Sequence, residues 1–375
     1  MGVVMGSAHA NLHSERGPLR GEHPGRSRDP VIKVVDLAWL EFEKTDLGRA
    51  ETFALDFGFA VAGRTRDALY LRGTLPGTHC LVIRKGPRSR FVGPAFLAAA
   101  SGDLVRLARA TGSDVRELSD PGGGQVVELR DPSGFPVRVV HGTAELPALS
   151  GQHPLPLNVG DARPRINATQ RPAREPARVQ RLGHVVLETR WFERALGWYL
   201  DTLGMIVSDF LFLDGQRDRG PTMAFVRCDR GGVPADHHTL AMHLGPGTGY
   251  VHSAYQVADL DAVAAGGEYL AGRGYRRVWG IGRHIQGSQI FDYWRDPDRL
   301  MVEHFADGDL FDCTVEPGWA PMSASGLAQW GPPVTRDFLG TNPSPELLRT
   351  VFTALREDNE IDVARLLGLM KAMRA

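Results

Sequence analysis

Three side chains with the chemistry of metal ligands lie in separate stretches whose alternation predicts β-strands. His184, His252 and Glu303 each fall on one face of an apolar, alternating run. An ionised carboxylate on a buried strand face is costly unless a cation compensates its charge. Two imidazoles and one carboxylate with open positions form the facial arrangement of Fe(II) enzymes that activate oxygen, and such donors also accept Mn(II) or Zn(II). If the three faces line one barrel, the sequence predicts a mononuclear metal site.

The same part of the chain is rich in histidine. Seven of the 13 histidines lie between positions 184 and 304, which is a denser group than packing roles alone explain. Strand alternation turns His237 and His243 away from the predicted site, and it turns His304 away from the face of Glu303. We therefore expect packing or surface roles for these three histidines.

The residues around these candidates resemble a known catalytic module. The segments that carry the resemblance are Gly183-His184, Asp236-His237-His238-Thr239-Leu240, His252-Ser253, Gly282-Arg283-His284, the run from Phe291 to Pro297, and Glu303. Their order and spacing are similar to those of the type I extradiol ring-cleavage (catechol) dioxygenases. These enzymes belong to the vicinal oxygen chelate superfamily, together with glyoxalases and bleomycin resistance proteins. The resemblance extends over about residues 31–310, and its specific motifs all follow residue 180.

The resemblance implies a role for each of these residues. The three candidate ligands would bind Fe(II), with Mn(II) as the alternative metal, and no organic cofactor is expected. His238 would stabilise bound oxygen and move protons, because an imidazole can donate or accept a proton near neutral pH. Tyr293 would donate a hydrogen bond to a substrate oxygen, and His284 would steady the other side of the substrate.

The implied reaction is cleavage of the aromatic ring of a catechol beside its diol, with insertion of both atoms of O2. In relatives that cleave catechols with a carboxylate side chain, an arginine lies five residues before the equivalent of His284, and here that position is Trp279. Val186, two residues after His184, is also apolar where some relatives have an amide. Neither side chain can pair with a carboxylate as arginine does. We therefore expect Trp279 and Val186 to bind a neutral or apolar catechol, substituted or fused.

Two other functions fit part of the same pattern. A non-oxidative metalloenzyme of the superfamily, such as a lyase or isomerase, typically takes its ligands from both modules, whereas this chain concentrates them in one. A metal-free protein that binds or sequesters a small molecule would not need the intact set of three ligands. The extradiol dioxygenase is therefore the leading hypothesis.

The candidates belong to the second of two similar units. Hydrophobic periodicity predicts a βαβββ pattern at residues 30–145 and again at 178–310. The predicted fold is α+β, with two tandem modules, each of paired βαβββ units that form an open barrel, as the resemblance implies. Residues 146–177 are predicted to be a linker and residues 1–29 a disordered tail. Residues 311–375 are predicted to form a partly helical C-terminal extension.

The first unit serves as an internal control for the ligand assignment. The turn at Asp131-Pro132 matches the turn at Asp296-Pro297, at an offset of 165 residues. At the three positions equivalent to the ligands, the first unit is predicted to have Trp39, Phe96 and Arg138, which do not bind hard metal ions. We therefore predict a first module without metal, which serves as scaffold and interface.

The bulk composition limits the remaining possibilities. A net charge of −1 argues against nucleic acid as a partner, and no apolar run reaches the roughly 18 residues of a membrane span. Three scattered cysteines do not suggest a disulfide framework, and the first residues lack a secretory signal, so the cytoplasm is the expected compartment. The expected partners are a catechol-type substrate and O2. We expect a homo-oligomer in which the extension packs or makes subunit contacts, with a lid over the site as the alternative.

Overall fold

Two large mixed β-sheets, one from each half of the chain, form the framework of the protein. The computed structural model describes residues 19–342 and 344–374. The two sheets and the six α-helices of the described residues give the α+β class that the sequence predicts. None of the described helices is long and apolar enough to cross a membrane.

The first half of the chain forms a sheet of eight strands and two helices that accompany it. The strands are β1 (Val34–Lys44), β2 (Ala60–Arg64), β3 (Ala68–Arg72), β4 (Leu81–Lys85), β5 (Arg90–Ala98), β6 (Val115–Glu117), β7 (Gln125–Arg130) and β8 (Pro136–His141), and the helices are α1 (Leu47–Phe57) and α2 (Ser101–Thr111). The strand order across the sheet is β2-β3-β4-β1-β5-β8-β7-β6. Asp46 is the N-cap of α1, where its carboxylate accepts the backbone N–H of Arg49 (3.0 Å), and Gly58, which has a φ of 107°, is the C-cap.

The second sheet has ten strands and includes the strands of all three candidate ligands. The elements of this half are β9 (Arg181–Thr189), α3 (Phe192–Leu203), β10 (Met205–Phe212), β11 (Met223–Cys228), β12 (Ala235–Asp236), β13 (Leu240–Leu244), β14 (Gly249–Gln256), α4 (Leu260–Gly272), β15 (Arg276–His284), β16 (Ile290–Arg295), β17 (Met301–Ala306), β18 (Leu310–Phe311), β19 (Gly318–Pro321), β20 (Ala328–Trp330), α5 (Pro345–Ala354) and α6 (Val363–Ala372). The strand order is β19-β10-β11-β13-β9-β14-β17-β16-β15-β20, and β12 pairs with β18 alone.

The register of the two sheets identifies equivalent residues in the two halves. In the second sheet, Ala254 lies opposite His184 on one side and opposite Glu303 on the other. Ala95 has the same place in the first sheet. Its two neighbours are the residues predicted to replace these ligands, Trp39 and Arg138. Neither is a metal ligand, so the first sheet lacks two of the three donors at these positions.

The predicted equivalence of Phe96 with His252 is wrong. His252 lies two residues before Ala254 on β14, so its equivalent on β5 lies two residues before Ala95 and is Gly93. Phe96 instead packs in the main hydrophobic core.

The error arises at the start of the helix that follows each strand. The similar Asp-Leu pairs Asp103-Leu104 and Asp259-Leu260 suggest an offset of 156 residues. Asp259 is the N-cap of α4, however, whereas Asp103 lies three residues after Ala100, the N-cap of α2. The two aspartates therefore satisfy helix N-termini from different positions, and aligning them shifts the strand by three residues.

Buried polar contacts hold β17 against the first half of the chain. Nε2 of His304 donates a hydrogen bond to the carbonyl oxygen of Phe57 (2.7 Å), and the two rings stack with centroids 3.8 Å apart. β16 and β17 form a hairpin, and Lys44 pairs with Asp296 in the turn between these two strands. The first half therefore supports β17, the strand of Glu303, in two places. It contacts the face of β17 that carries His304, and it contacts the turn that precedes the strand.

Part of the predicted disordered tail contacts the second half. The backbone N–H of Val207 donates to the carbonyl oxygen of Gly25 (2.7 Å), and the Glu22 carboxylate pairs with Arg217 (2.8 Å). The prediction of disorder is therefore wrong for residues 19–29. These residues are held by polar contacts with distant residues, and such contacts produce no hydrophobic period that the sequence could reveal. Residues 1–18 lie outside the described residues. Residues 146–177, predicted to be a linker, contain neither a helix nor a strand.

The C-terminal extension is built into the second sheet at both edges. β19 pairs with β10 at one edge, and β20 pairs with β15 at the other. Of the two helices that follow, α6 is joined to α3 by Arg365, whose guanidinium pairs with Glu193 (2.8 Å). The extension is therefore partly helical, as predicted, and also contributes strands.

Replacing Lys44 by methionine tests the buried ion pair with Asp296 that supports the β16–β17 hairpin. Lys44 and Asp296 have side chains 6% and 5% exposed, so K44M leaves a buried carboxylate without its partner. We expect the free energy of unfolding to fall by about 3–5 kcal/mol. The matched control is R49M, because the exposed Arg49 contacts Asp298 of the same turn and should contribute only about 0–1 kcal/mol. Urea unfolding measures both, and equal losses would contradict the assignment.

Candidate metal centre

Three adjacent strands bring the predicted ligands together. β9, β14 and β17 are neighbours in the second sheet. Nε2 of His184 and Nε2 of His252 each lie 3.4 Å from the same carboxylate oxygen of Glu303. One ligand atom from each of the three residues lies within 4.8 Å of the others. Ala254, between His184 and Glu303 on the same sheet face, is small enough to leave space above it.

The carboxylate of Glu303 is fully buried and has no hydrogen-bond donor among the described residues. Both of its oxygens and both ring nitrogens of His252 make no hydrogen bond within the described part of the chain. Burial by itself would raise the pKa of Glu303, but the imidazoles of His184 and His252 outweigh this effect and lower that pKa. Burial lowers the pKa of His252 to about 4, so this imidazole is neutral at neutral pH. The cluster therefore combines an ionised carboxylate with donor atoms that lack partners.

This arrangement fits a divalent cation. Histidine nitrogens and carboxylate oxygens bind such ions at roughly 2.0–2.2 Å, which places neighbouring donors about 3 Å from each other. The 3.4 Å separations found here require only a small adjustment of the side chains. Three protein donors leave further positions for a substrate, and the donor types accept Fe(II), Mn(II) or Zn(II).

The ring of His238 lies against the ring of His184, with centroids 4.0 Å apart. His238 belongs to the short connection between β12 and β13 and is 4% exposed. Burial, followed by the neighbouring histidines, lowers the pKa of His238 well below its usual value. A neutral imidazole is therefore available beside the candidate metal position.

His237 differs from the prediction, because its side chain points inward. It is 1% exposed, its Nδ1 lies 3.0 Å from Nδ1 of His238, and its Nε2 lies 2.7 Å from the carboxylate of Asp209. Strand alternation fails here because residues 237–239 lie between two strands and do not follow either of them. Asp209 was not singled out from the sequence, although a lone aspartate in the apolar strand β10 is a signal that could have identified it.

Tyr293 and His284 form a hydrogen-bonded pair beside the ligands. Nδ1 of His284 donates to the carbonyl oxygen of Leu327 (2.8 Å), so the neutral ring accepts the Tyr293 hydroxyl on Nε2 (2.8 Å). Burial lowers the pKa of His284, and burial followed by the charge of Glu303 raises the pKa of Tyr293 well above its usual value. The pair is therefore a phenol oriented by a neutral imidazole.

Aromatic side chains form one wall of the site. Trp279 is 2% exposed, and its indole lies nearly parallel to the Tyr293 ring, with an interplanar angle of 13° and centroids 5.8 Å apart. The indole N–H donates to the carbonyl oxygen of Pro332 (2.9 Å). Phe338 of the C-terminal extension contacts the same two rings, at 4.7 and 4.8 Å. The extension therefore lines the site, in addition to pairing at the sheet edges.

The other residues singled out from the sequence are distributed as follows. Val186 is buried, lies opposite His252 in the sheet, and packs in an apolar cluster with Phe225. His243 is half-buried and hydrogen-bonds only weakly, to its neighbour Leu244 (3.3 Å). The structure thus brings Val186 close to the ligands and leaves His243 apart from them.

The second module matches a described protein family. Residues 181–304 match the model of the Glyoxalase/Bleomycin resistance protein/Dioxygenase superfamily. The chain is 35% identical to metapyrocatechase 2 of Cupriavidus necator over 161 residues. This stretch covers 43% of this chain and 47% of that protein. Over 159 residues it is 25% identical to an iron-dependent extradiol dioxygenase of Rhodococcus jostii, covering 40% and 50% of the two chains. The chain thus spans about half the length of these curated relatives.

Solved structures match almost the whole fold. The Mn(II)-bound glyoxalase of Novosphingobium aromaticivorans has a TM-score of 0.68 at 22% identity, over 84% of this chain and 95% of that one. An extradiol ring-cleaving dioxygenase of B. fuscum has a TM-score of 0.67 at 20% identity, over 84% of each chain. These likenesses confirm the predicted fold of tandem vicinal oxygen chelate modules. The family match and the similarity to the two curated relatives confirm the predicted resemblance to the extradiol dioxygenases of this superfamily.

Replacing Glu303 by alanine tests the ligand set. We expect E303A to bind Mn(II) or Fe(II) at least about 100-fold more weakly, because it removes a charged donor and not only a supporting contact. Metal at 100 times the wild-type dissociation constant should stabilise the wild type by about 2.7 kcal/mol and E303A by at most about 0.4 kcal/mol. The control is E188Q, whose carboxylate accepts the backbone N–H of Gly247 (2.7 Å) at the far end of β9. Calorimetric titration and metal content measure the effect, and full metal content in E303A would refute the assignment.

Proposed function

We propose that this chain is an extradiol dioxygenase that uses a mononuclear Fe(II) site to cleave the aromatic ring of a catechol-type substrate with O2. Both oxygen atoms would enter the product. The observation that carries the proposal is the buried cluster of His184, His252 and Glu303, with His238 and Tyr293 beside it. The similarity of the second module to metapyrocatechase 2 and to other extradiol dioxygenases supports it.

Fe(II) is the proposed resident metal, and Mn(II) is the alternative. Two nitrogens and one oxygen form a donor set that suits both ions. One relative is named as iron-dependent, and one similar structure contains Mn(II). A bound Fe(II) would supply the redox chemistry between catechol and O2, with both reactants held at the open positions.

The residues around the metal position would control protons. His238 is neutral at neutral pH because burial lowers its pKa, so it can accept a proton at one ring nitrogen. Tyr293 keeps its proton because burial raises its pKa, and it can donate its O–H to a substrate oxygen. Nε2 of His284 accepts the hydrogen bond of the Tyr293 hydroxyl and fixes its direction. A substrate oxygen beside Tyr293 would compete with His284 for this hydrogen bond.

The wall of the site favours a neutral or apolar catechol, substituted or fused. Trp279, Phe291 and Phe338 form one apolar cluster with Tyr293. Trp279 uses its only polar group in the hydrogen bond to Pro332, and its ring packs on the rings of Phe291 and Phe338, so it offers a substrate neither a charge nor a free polar group. A substrate carboxylate placed against this wall would lose water without gaining a cation.

We also propose a homo-oligomer in the cytoplasm. The helices α5 and α6 expose several large apolar side chains, including Leu348 (73% exposed), Phe352 (55%) and Leu367 (60%). A second copy of the chain would cover such a surface. The three cysteines are all free thiols, as a reducing compartment would maintain them.

Anaerobic loading with Fe(II), followed by a panel of catechols and then O2, tests the proposed reaction. We expect one O2 consumed for each catechol cleaved, and a yellow ring-opened product from neutral or apolar substrates. Catechols with a carboxylate side chain should react at least about tenfold more slowly, which corresponds to the roughly 1.4 kcal/mol of one factor of ten. Iron-loaded protein that takes up no O2 with any catechol would refute the dioxygenase. Product formation without O2 would favour a lyase or isomerase.

Substituting His238 and Tyr293 separates acid–base roles from metal binding. We expect H238A to keep its iron and to lose roughly 100-fold or more in kcat, because a positioned proton carrier contributes about that much. Y293F should keep its iron and lose roughly tenfold or more in kcat/KM. H243A is the matched control, since His243 is half-buried and lies apart from the ligands. Loss of iron in H238A, or turnover unchanged in both variants, would contradict these roles.

A further inference from the structure

A buried series of three side chains leads from the second sheet to His238. The carboxylate of Asp209 accepts a hydrogen bond from Nε2 of His237 (2.7 Å), and Nδ1 of His237 lies 3.0 Å from Nδ1 of His238. The three residues are at most 4% exposed. The reaction proposed above uses only His238, so the burial of the other two polar side chains needs a separate explanation.

A β-bulge turns Asp209 toward the interior of the barrel. The pairing of β10 with β11 shifts between Val207 and Asp209. Before the shift, Val207 packs in the main core, and after it, Leu211 packs with Val186 on the side of the ligands. In a regular strand, positions 207, 209 and 211 would share one face, so the bulge moves Asp209 to the interior face. A carboxylate there is costly without a donor, and His237 supplies that donor.

The ring of His237 is held in place from several sides. Its backbone N–H donates to the carbonyl oxygen of Asp309 (2.9 Å), and the rings of Phe225 and Phe311 lie 5.6 and 5.3 Å from its own. A Cβ atom at Gly287 would lie 3.1 Å from Nδ1 of His237, so a glycine leaves the space that this ring occupies. His237 therefore has a fixed orientation between Asp209 and His238.

The order of donors and acceptors in this series determines one tautomer. The Asp209 carboxylate can only accept, so His237 must have its proton on Nε2. An imidazole protonated on Nε2 alone has only a lone pair on Nδ1. The contact between the two Nδ1 atoms therefore requires that His238 has its proton on Nδ1. Nε2 of His238 is left as a proton acceptor.

We propose that Asp209 and His237 are positioning residues that hold His238 as the Nδ1–H tautomer, so that its Nε2 can accept a proton from the substrate. The inference rests on the proposed function, because it specifies how the acid–base group begins the reaction. In this step a substrate hydroxyl transfers its proton to Nε2, and the oxygen keeps the electron pair. The resulting imidazolium retains its Nδ1–H bond to His237. The charge of Asp209, one ring away, stabilises the imidazolium, as the buried carboxylate does in a serine protease triad.

Nitrogen NMR of the histidine rings tests this inference without turnover. Protein labelled with 15N-histidine and loaded with Zn(II), a diamagnetic ion, gives long-range 15N–1H spectra in which protonated and bare ring nitrogens differ. The His238 signals are those absent from H238A. We expect a proton on Nδ1 and a bare Nε2 in the wild type, and a mixture of tautomers in D209L, because a leucine side chain cannot accept the His237 proton. H237F provides a second variant in case D209L does not fold, and it should give the same loss of preference.

The kinetic expectation is specific to turnover. D209L loaded with Fe(II) should keep its iron and its KM within about twofold, while kcat falls roughly 10- to 100-fold. D236N is the matched control, because Asp236 adjoins His237 in sequence but pairs with Arg181 (2.8 Å), and it should leave both the tautomer and kcat unchanged. A wild-type His238 protonated on Nε2 would overturn the proposal. So would an unchanged Nδ1–H tautomer in D209L and H237F, whatever their activity. Because the spectra require no substrate, they judge this inference even if no catechol is cleaved.

Discussion

The burial of one carboxylate is the constraint on which the arrangement of the second half depends. Glu303 is fully buried, and neither of its oxygens accepts a hydrogen bond within the described chain. Such a group is tolerated only where positive charge is supplied. The imidazoles of His184 and His252 point at the same oxygen of Glu303, and a cation would lie between these three side chains. The register of three adjacent strands produces this geometry, because Ala254 separates His184 from Glu303 by one small side chain. A one-residue slip of β17 would turn Glu303 into the module interface and destroy the cluster.

The first half has a buried carboxylate of its own, Glu41, which pairs with arginine side chains. At the position equivalent to Glu303 it has Arg138, which pairs with the buried Glu41, and Arg84 pairs with the same carboxylate (3.1 Å). Charge is thus balanced by side chains of the module itself. This half also supports the second half. Its contacts with the outer face of β17 and with the preceding turn restrict the position of Glu303 from behind.

Most of the site was predictable, because strand parity is a local property. The alternation around each candidate ligand indicated a shared face, and the structure brings the three together. Parity could not give the orientation of His237, which lies between two strands, nor the bulge that turns Asp209 inward. The equivalence of Gly93 with His252 was missed because helix capping, not strand register, produced the similar Asp-Leu pairs. The place of Phe338 in the wall depends on contacts with residues far away in the sequence, which no periodicity encodes.

The histidines around the site differ in what fixes their protons. Nδ1 of His284 is tied to the extension through Leu327, Nε2 of His304 to the first half through Phe57, and His238 to β10 through its histidine neighbour. Each outer ring therefore has its tautomer set by a different part of the chain. Within the described residues, the ligands differ: Nδ1 of His184 and both nitrogens of His252 have no partner. A metal on Nε2 would fix the tautomer of these two rings, so metal binding and ordering of the ligands should be a single event, while the proton-handling residues are arranged beforehand.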